Sequence, residues 1–234
     1  MWSSPTAVLG LGFLLGLRHA LDLDHLAAVS TIVSERRSLW RSSLVGVVWG
    51  IGHTTSLLAV AIVVIGLHAQ IPPMVSQALE LGVAAMLVGL GARLLYAVAR
   101  GDALHAHVHD HTGLAHVHPH IHARGVAAHE HAPSHRRPFL VGLVHGLAGG
   151  GTLMLAVAAA IPDAAVALAY VAVFGLGSIG GMTLTSTVFS LASVAAAGRY
   201  TSADRWLRGC AAVTSVAVGI GLAWEIGRDV WRLT

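Results

Sequence analysis

The chain contains no lysine, and only 11% of its residues are charged. Without lysine there is no phosphate-loop lysine to hold a nucleotide, so any energy coupling must come from an ion gradient, the membrane potential or a separate ATPase. A single cysteine, Cys210, excludes an internal disulfide framework, a CxxC pair and, with them, a thiol-based electron carrier. The 14 basic residues are all arginines, and they form no basic groove interleaved with aromatics, so a nucleic-acid partner is not expected. The opening stretch, MWSSPTAVLGLGFLLGL, has an apolar core but no basic n-region, which favours a first spanning helix over a cleaved signal peptide.

What is present points to the bilayer. The composition is 55% hydrophobic with 27 glycines and a mean hydropathy of +0.72, the profile of an all-α integral membrane protein. Six segments approach the ~20 residues a helix needs to cross: Thr6–Val33, Leu44–Leu67, Leu79–Ala99, Phe139–Ile161, Ala164–Ala196 and Leu207–Gly227. The first and fifth exceed that length, which predicts tilt or a broken helix, tolerated where the freed backbone lines a polar cavity. Arginines fill the loops after segments one, three and five (Arg36, Arg37, Arg41; Arg100, Arg124, Arg136, Arg137; Arg199, Arg205, Arg208) and are missing after segments two and four. The positive-inside rule makes the arginine-bearing loops cytoplasmic and puts both termini outside, outweighing Arg228 and Arg232 in the C-terminal tail.

Within the first segment, His19-Ala20-Leu21-Asp22-Leu23-Asp24-His25 places two imidazoles and two carboxylates in apolar surroundings. Ionisable groups inside a span are costly and mark ion paths or binding sites, and this donor set suits a divalent first-row transition metal. His53 near the middle of segment two and His145 about a third of the way into segment four lie at overlapping depths, at ~1.5 Å of rise per residue. Each of these two histidines could equally be a neutral hydrogen-bonding partner of a neighbouring helix. On a regular helix His19, Asp22 and His25 share a ~120° arc while Asp24 points ~140° away from His19, so either the helix is distorted or Asp24 serves another partner.

The halves of the chain resemble each other. Gly16-Leu17-Arg18-His19 recurs as Gly142-Leu143-Val144-His145, and Trp49-Gly50-Ile51-Gly52 as Phe174-Gly175-Leu176-Gly177, at offsets of 126 and 125 residues. Three spans per half is an odd number, so a duplication must be inverted in the membrane, the 3+3 plan of many secondary transporters. The expected organisation is a first three-helix repeat over 1–100, a linker over 101–137 and a second repeat over 138–234. His19 maps to His145, but Asp22, Asp24 and His25 map to Ala148, Gly150 and Gly151. The expected site is therefore asymmetric: the first half supplies most ligands, and His145 with Gly149-Gly150-Gly151-Thr152 allows close helix approach and a moving gate.

Between the halves, His105, His107, His109, His111, His116, His118, His120 and His122, followed by His129, His131 and His135, form a tract that reads compositionally as a disordered, loosely metal-binding cytoplasmic segment. It could receive incoming metal, present outgoing metal or sense concentration.

Two stretches carry a family resemblance. RHALDLDH, with His19, Asp24 and His25, resembles the RHAxDADH signature of the nickel/cobalt transporter (NiCoT, NicO-type) family, with Leu23 in place of alanine, and GIGHTTSLL around His53 is similar to that family's second conserved stretch. VHGLAGGGTLML resembles the six-helix urease-accessory-type relatives, and no counterpart of the acidic FDTATE stretch of the longer permeases is found. The resemblance implies a nickel(II) or cobalt(II) carrier rather than an enzyme, and no tightly bound cofactor. It implies ligand roles for His19, Asp24 and His25, with His53 supporting, and a cytoplasmic nickel chaperone or enzyme-maturation protein as partner. The DLDH form resembles uptake permeases; efflux, with the His-rich loop as collector, and a membrane metalloenzyme holding iron or zinc stand as alternatives.

Overall fold

A computed structural model describes residues 4–34, 38–67, 71–100, 104–111, 114–121, 135–148, 152–197 and 201–233. Among them run eight helices: α1 (Pro5–His19), α2 (Leu23–Ser34), α3 (Leu39–Leu67), α4 (Pro73–Ala99), α5 (Arg136–Leu147), α6 (Thr152–Ala159), α7 (Ala164–Ala197) and α8 (Thr201–Leu233). Start signals are local. The Ser4 side chain accepts the Ala7 N–H ahead of Pro5, and Asp163 Oδ1 accepts the N–H groups of Ala165 and Val166 at 2.8 and 3.0 Å to open α7, each satisfying a donor with no intrahelical partner.

Four of these helices, α3, α4, α7 and α8, are long and apolar enough to cross a membrane, and α1 with α2 forms a fifth crossing if the bent pair is one span. The protein is an integral membrane protein. Large apolar side chains such as Leu14, Leu67, Met74 and Leu184 remain exposed on the outside of the bundle, where lipid takes the place of water. Trp40 and Trp206 near the starts of α3 and α8, and Trp231 near the end of α8, are exposed as membrane-interface tryptophans are.

The first long segment is broken, in keeping with its excess length: α1 and α2 meet at 56°. The fifth segment, of which tilt or a break was expected, is one unbroken helix, α7, which removes the break alone. Its glycines seat against neighbouring helices: Gly175 faces the Thr54 side chain, Gly177 the backbone of Phe13 and Leu17, and Gly181 Ala20 and the Leu17 carbonyl. The fourth segment contains two helices, α5 and α6, with residues 149–151 outside the described residues.

Packing repeats at the two offsets seen in the sequence. A Cβ on Gly16 would strike the Phe174 carbonyl and come within 2.9 Å of the Ser178 nitrogen; one on Gly142 would strike the Trp49 carbonyl and come within 3.0 Å of the His53 nitrogen. In return Gly177 abuts Phe13 and Leu17, and Gly52 abuts Phe139 and Leu143. Thus α1 seats on α7 as α5 seats on α3, while α3 packs along α7 and α4 along α8. Small residues permit such approaches, and close packing drives helix association in lipid.

Two apolar clusters form the core. One gathers Ala27–Val29, Ile32 and Val33 of α2 with Val45, Trp49, Leu87 and Met182; the other gathers Val8, Leu57, Ala61, Met154, Tyr170 and Phe174. Along α3, buried His53 falls between the two, after Trp49 and before Leu57, and along α7 buried Ser178 falls between Phe174 and Met182. The polar layer lies between the two apolar clusters.

Within the linker, the backbone of Leu104–His111 (β1) and Leu114–Ile121 (β2) pairs antiparallel, with His105 opposite His120, His107 opposite His118 and His109 opposite His116. The strict alternation of histidine with other residues has a period of two, which is itself a strand pattern. Residues 101–103, 112–113 and 122–134, His122, His129 and His131 among them, lie outside the described residues.

Candidate metal site

The break between α1 and α2 builds the site. α1 ends on His19, a turn follows in which the Leu21 and Asp22 N–H groups donate to the Arg18 and His19 carbonyls, and α2 begins at Leu23. Asp24 therefore stands in the first turn of α2, where the helix dipole favours a carboxylate. Both possibilities raised by its position on a regular helix are realised: the helix is distorted, and Asp24 has another partner. Its Oδ2 accepts from His145 Nε2 at 2.8 Å, across 121 residues of sequence, and its Oδ1 accepts the His25 backbone N–H at 2.9 Å and His25 Nδ1–H at 3.1 Å.

Asp22 does the same for the other histidine. Its Oδ2 accepts from His19 Nδ1 at 2.9 Å, and its side chain is 53% exposed, at the edge of the cluster rather than inside it. With one nitrogen of each ring occupied as a donor, the lone pair of a neutral imidazole is left on the other. Those atoms, His19 Nε2, His25 Nε2 and His145 Nδ1, are buried without a hydrogen-bond partner, as are both nitrogens of His53. Buried polar atoms are nearly always satisfied, so unpartnered imidazole nitrogens on four neighbouring rings are the chemical signature of the site.

The rings converge. His25 is central, its centroid 4.5 Å from His19, 5.2 Å from His53 and 4.1 Å from His145. His19, His25 and His53 each offer a ligand atom within 4.8 Å of the others, and so do Asp24, His25 and His145. All six residues expected from the sequence are brought together, though Asp22 joins through His19 and belongs to neither set. Imidazoles whose far nitrogens are held by carboxylates form the outer-shell arrangement that fixes the orientation of metal-ligating histidines. His19 and His145 both lie in the last turn of their helices, α1 and α5, where the helix dipole favours a cation.

Two aromatic residues not singled out as site residues wall the cluster. Trp49 stacks on His25 at 5.6 Å and lies 5.8 Å from His145, and Phe174 lies 5.4 Å from His19. Both were visible in the sequence as the leading residues of the WGIG and FGLG repeats. Ser178 stands where the repeat offset carries His53, and its hydroxyl donates to the Gly16 carbonyl at 3.3 Å.

Apolar helices enclosing a carboxylate-braced histidine cluster define a polytopic membrane protein with a polar, imidazole-rich interior. Residues 6–227 match the NicO family, described as a high-affinity nickel-transport protein, and the chain belongs to that family. It is also similar to the urease accessory protein UreH of Bacillus sp. (strain TB-90), 34% identical over 185 residues that cover 79% of this chain and 77% of that protein. No solved structure matches. The family is one of nickel-transport proteins, not of enzymes.

Proposed function

We propose that this protein is a secondary transporter that takes up nickel(II), with cobalt(II) as a second cargo, across the cytoplasmic membrane. The observation that carries this reading is the convergence of buried, unpartnered imidazole nitrogens on His19, His25 and His53. Imidazole suits nickel among the first-row metals. Asp22 and Asp24 orient and polarise His19 and His25, and His145 reaches the same carboxylate from the other half.

The proposed architecture is six spans in a 3+3 inverted repeat, the broken pair α1–α2 matched by α5–α6. The repeated seats of Gly16 on Phe174 and Gly142 on Trp49, and of Gly177 on Phe13 and Gly52 on Phe139, support it. Broken helices meeting near the midplane are where carriers of this plan hold their cargo. Both termini lie outside in this reading. The His-rich tract is then cytoplasmic, collecting metal loosely and passing it to a nickel chaperone or enzyme-maturation protein, a role in keeping with the name of the UreH relative.

Radioactive nickel uptake into proteoliposomes, compared for wild type, His19→Ala and a loop deletion, tests the reading. Wild type is expected to accumulate nickel. His19→Ala is expected to reduce the rate by more than the ~10–100-fold typical of losing an outer-shell partner, and the loop deletion to change it less. Absence of metal-dependent flux in either direction sinks the transporter reading, and export alone reverses its direction. Metal binding to purified protein that survives both His19→Ala and Asp24→Ala intact overturns the site assignment.

A further inference from the structure

His25 belongs to both candidate ligand sets, His19/His25/His53 and Asp24/His25/His145. Its sharing has a chemical consequence. A neutral imidazole has one lone pair, so His25 can ligate a cation in one set or in the other, never in both. In this structure Nδ1 of His25 faces Asp24, which leaves its Nε2 open and without a partner. The second set is closed on itself by the bond between His145 Nε2 and Asp24 Oδ2. The sets also differ in origin. The first comes wholly from α1, α2 and α3, all before the linker, whereas the second needs His145 of α5.

Resting on the transport reading above, we infer that the cation passes through two successive stations, captured at His19, His25 and His53 and handed to Asp24, His25 and His145. In the handover the metal leaves His25 Nε2 and binds Nδ1, while the ring's single proton moves from Nδ1 to Nε2. His145 transfers its proton from Nε2 to Nδ1, the atom now without a partner, and Asp24 turns from hydrogen-bond acceptor to ligand. Water entering with the cation accepts the proton from one nitrogen of each ring and returns one to the other; each ring keeps one proton, so the step has no net uptake or release. The shared ligand makes filling of the stations mutually exclusive, so one cation moves at a time. Only the second station takes a ligand from the second half, so a shift of His145 and α5 opens or closes it without removing a ligand from the first. His145 thus acts in passage rather than in capture.

Two variants separate this from a structural role. His145→Ala removes both the ligand and the hydrogen bond to Asp24; His145→Gln retains an N–H near the position of Nε2 but offers an amide, a poor nickel ligand. Nickel binding to the purified full chain is followed through the high-affinity phase that His19→Ala removes, and flux is measured in proteoliposomes. For both variants the binding constant is expected to stay within about threefold of wild type while maximal flux falls about tenfold or more at a similar half-saturating concentration, a loss confined to the step after binding. Restored flux in His145→Gln makes the residue a strut and overturns the inference. So does unchanged flux in His145→Ala, or loss of its high-affinity binding to the extent seen in His19→Ala, which makes the cluster a single site. A wild type without nickel flux fails the transport reading itself, and is distinguishable because it precedes any comparison of variants.

Discussion

Replacing His25 with alanine is expected to abolish both high-affinity nickel binding and nickel flux. The other three rings are each one step from His25: it is the neighbour of His19, His53 and His145 and the one residue common to both ligand sets. Its loss leaves two donors in either set. It also removes from Asp24 Oδ1 the ring N–H of His25, leaving only the backbone N–H there and His145 on Oδ2. The reduction in flux should exceed the ~10–100-fold that removing an outer-shell partner costs in metal affinity or activity. Asp22 is such a partner for His19, and Asp22→Ala, at the half-exposed edge of the cluster, should fall within that range. Equilibrium nickel binding and proteoliposome uptake measured on the same preparations check this order. Flux by His25→Ala within threefold of wild type removes His25 from the path.

Much of this site was legible because charge is expensive in lipid. Carboxylates one and three residues from an imidazole in an apolar run mark function rather than packing, and His19, Asp22, Asp24 and His25 were found that way. His145 was legible through a different signal, the repeat, which mapped it onto His19 without showing what it touches. The bond between His145 and Asp24 was beyond sequence reading because it joins residues 121 apart, and because regular-helix geometry turns Asp24 away from His19. Only the break after His19 brings it round. Trp49 and Phe174 were read as repeat markers; their place beside the rings depends on the crossing of α5 over α3 and of α1 over α7. Where pattern alone spoke, it was ambiguous: excess length accompanied a break in the first segment but a continuous helix in the fifth, and alternating histidines fitted a strand as well as a loose tract.

Gly16→Ala and Gly142→Ala are expected to destabilise the folded protein strongly, and equally, although neither glycine touches a ligand atom. At both positions the added methyl would strike a backbone carbonyl, of Phe174 and of Trp49 respectively. A backbone carbonyl cannot rotate aside as a side chain can, so the helices must separate. Overpacking of this kind costs about 1–3 kcal/mol and occasionally more, and in lipid it acts on the close contact that holds the helices together. Gly10, Gly66 and Gly89 supply the contrast. A Cβ there meets nothing within 4 Å, and alanine in their place should be neutral or stabilise by about 0.5–1 kcal/mol through helix propensity. Thermal unfolding in detergent of the five variants reads the difference directly, and a Gly142→Ala protein that melts like Gly89→Ala refutes the packing argument. The functional cost follows from position. Gly16 and Gly142 each lie three residues before a histidine of the cluster, His19 and His145, and the Gly142 contact reaches the backbone nitrogen of His53 at 3.0 Å. Forcing α5 off α3 therefore moves His145 away from Asp24 and disturbs His53, while forcing α1 off α7 moves His19. Even where these variants fold, nickel flux should fall with them, because the same glycines that let the two halves approach also set the distances between the imidazoles.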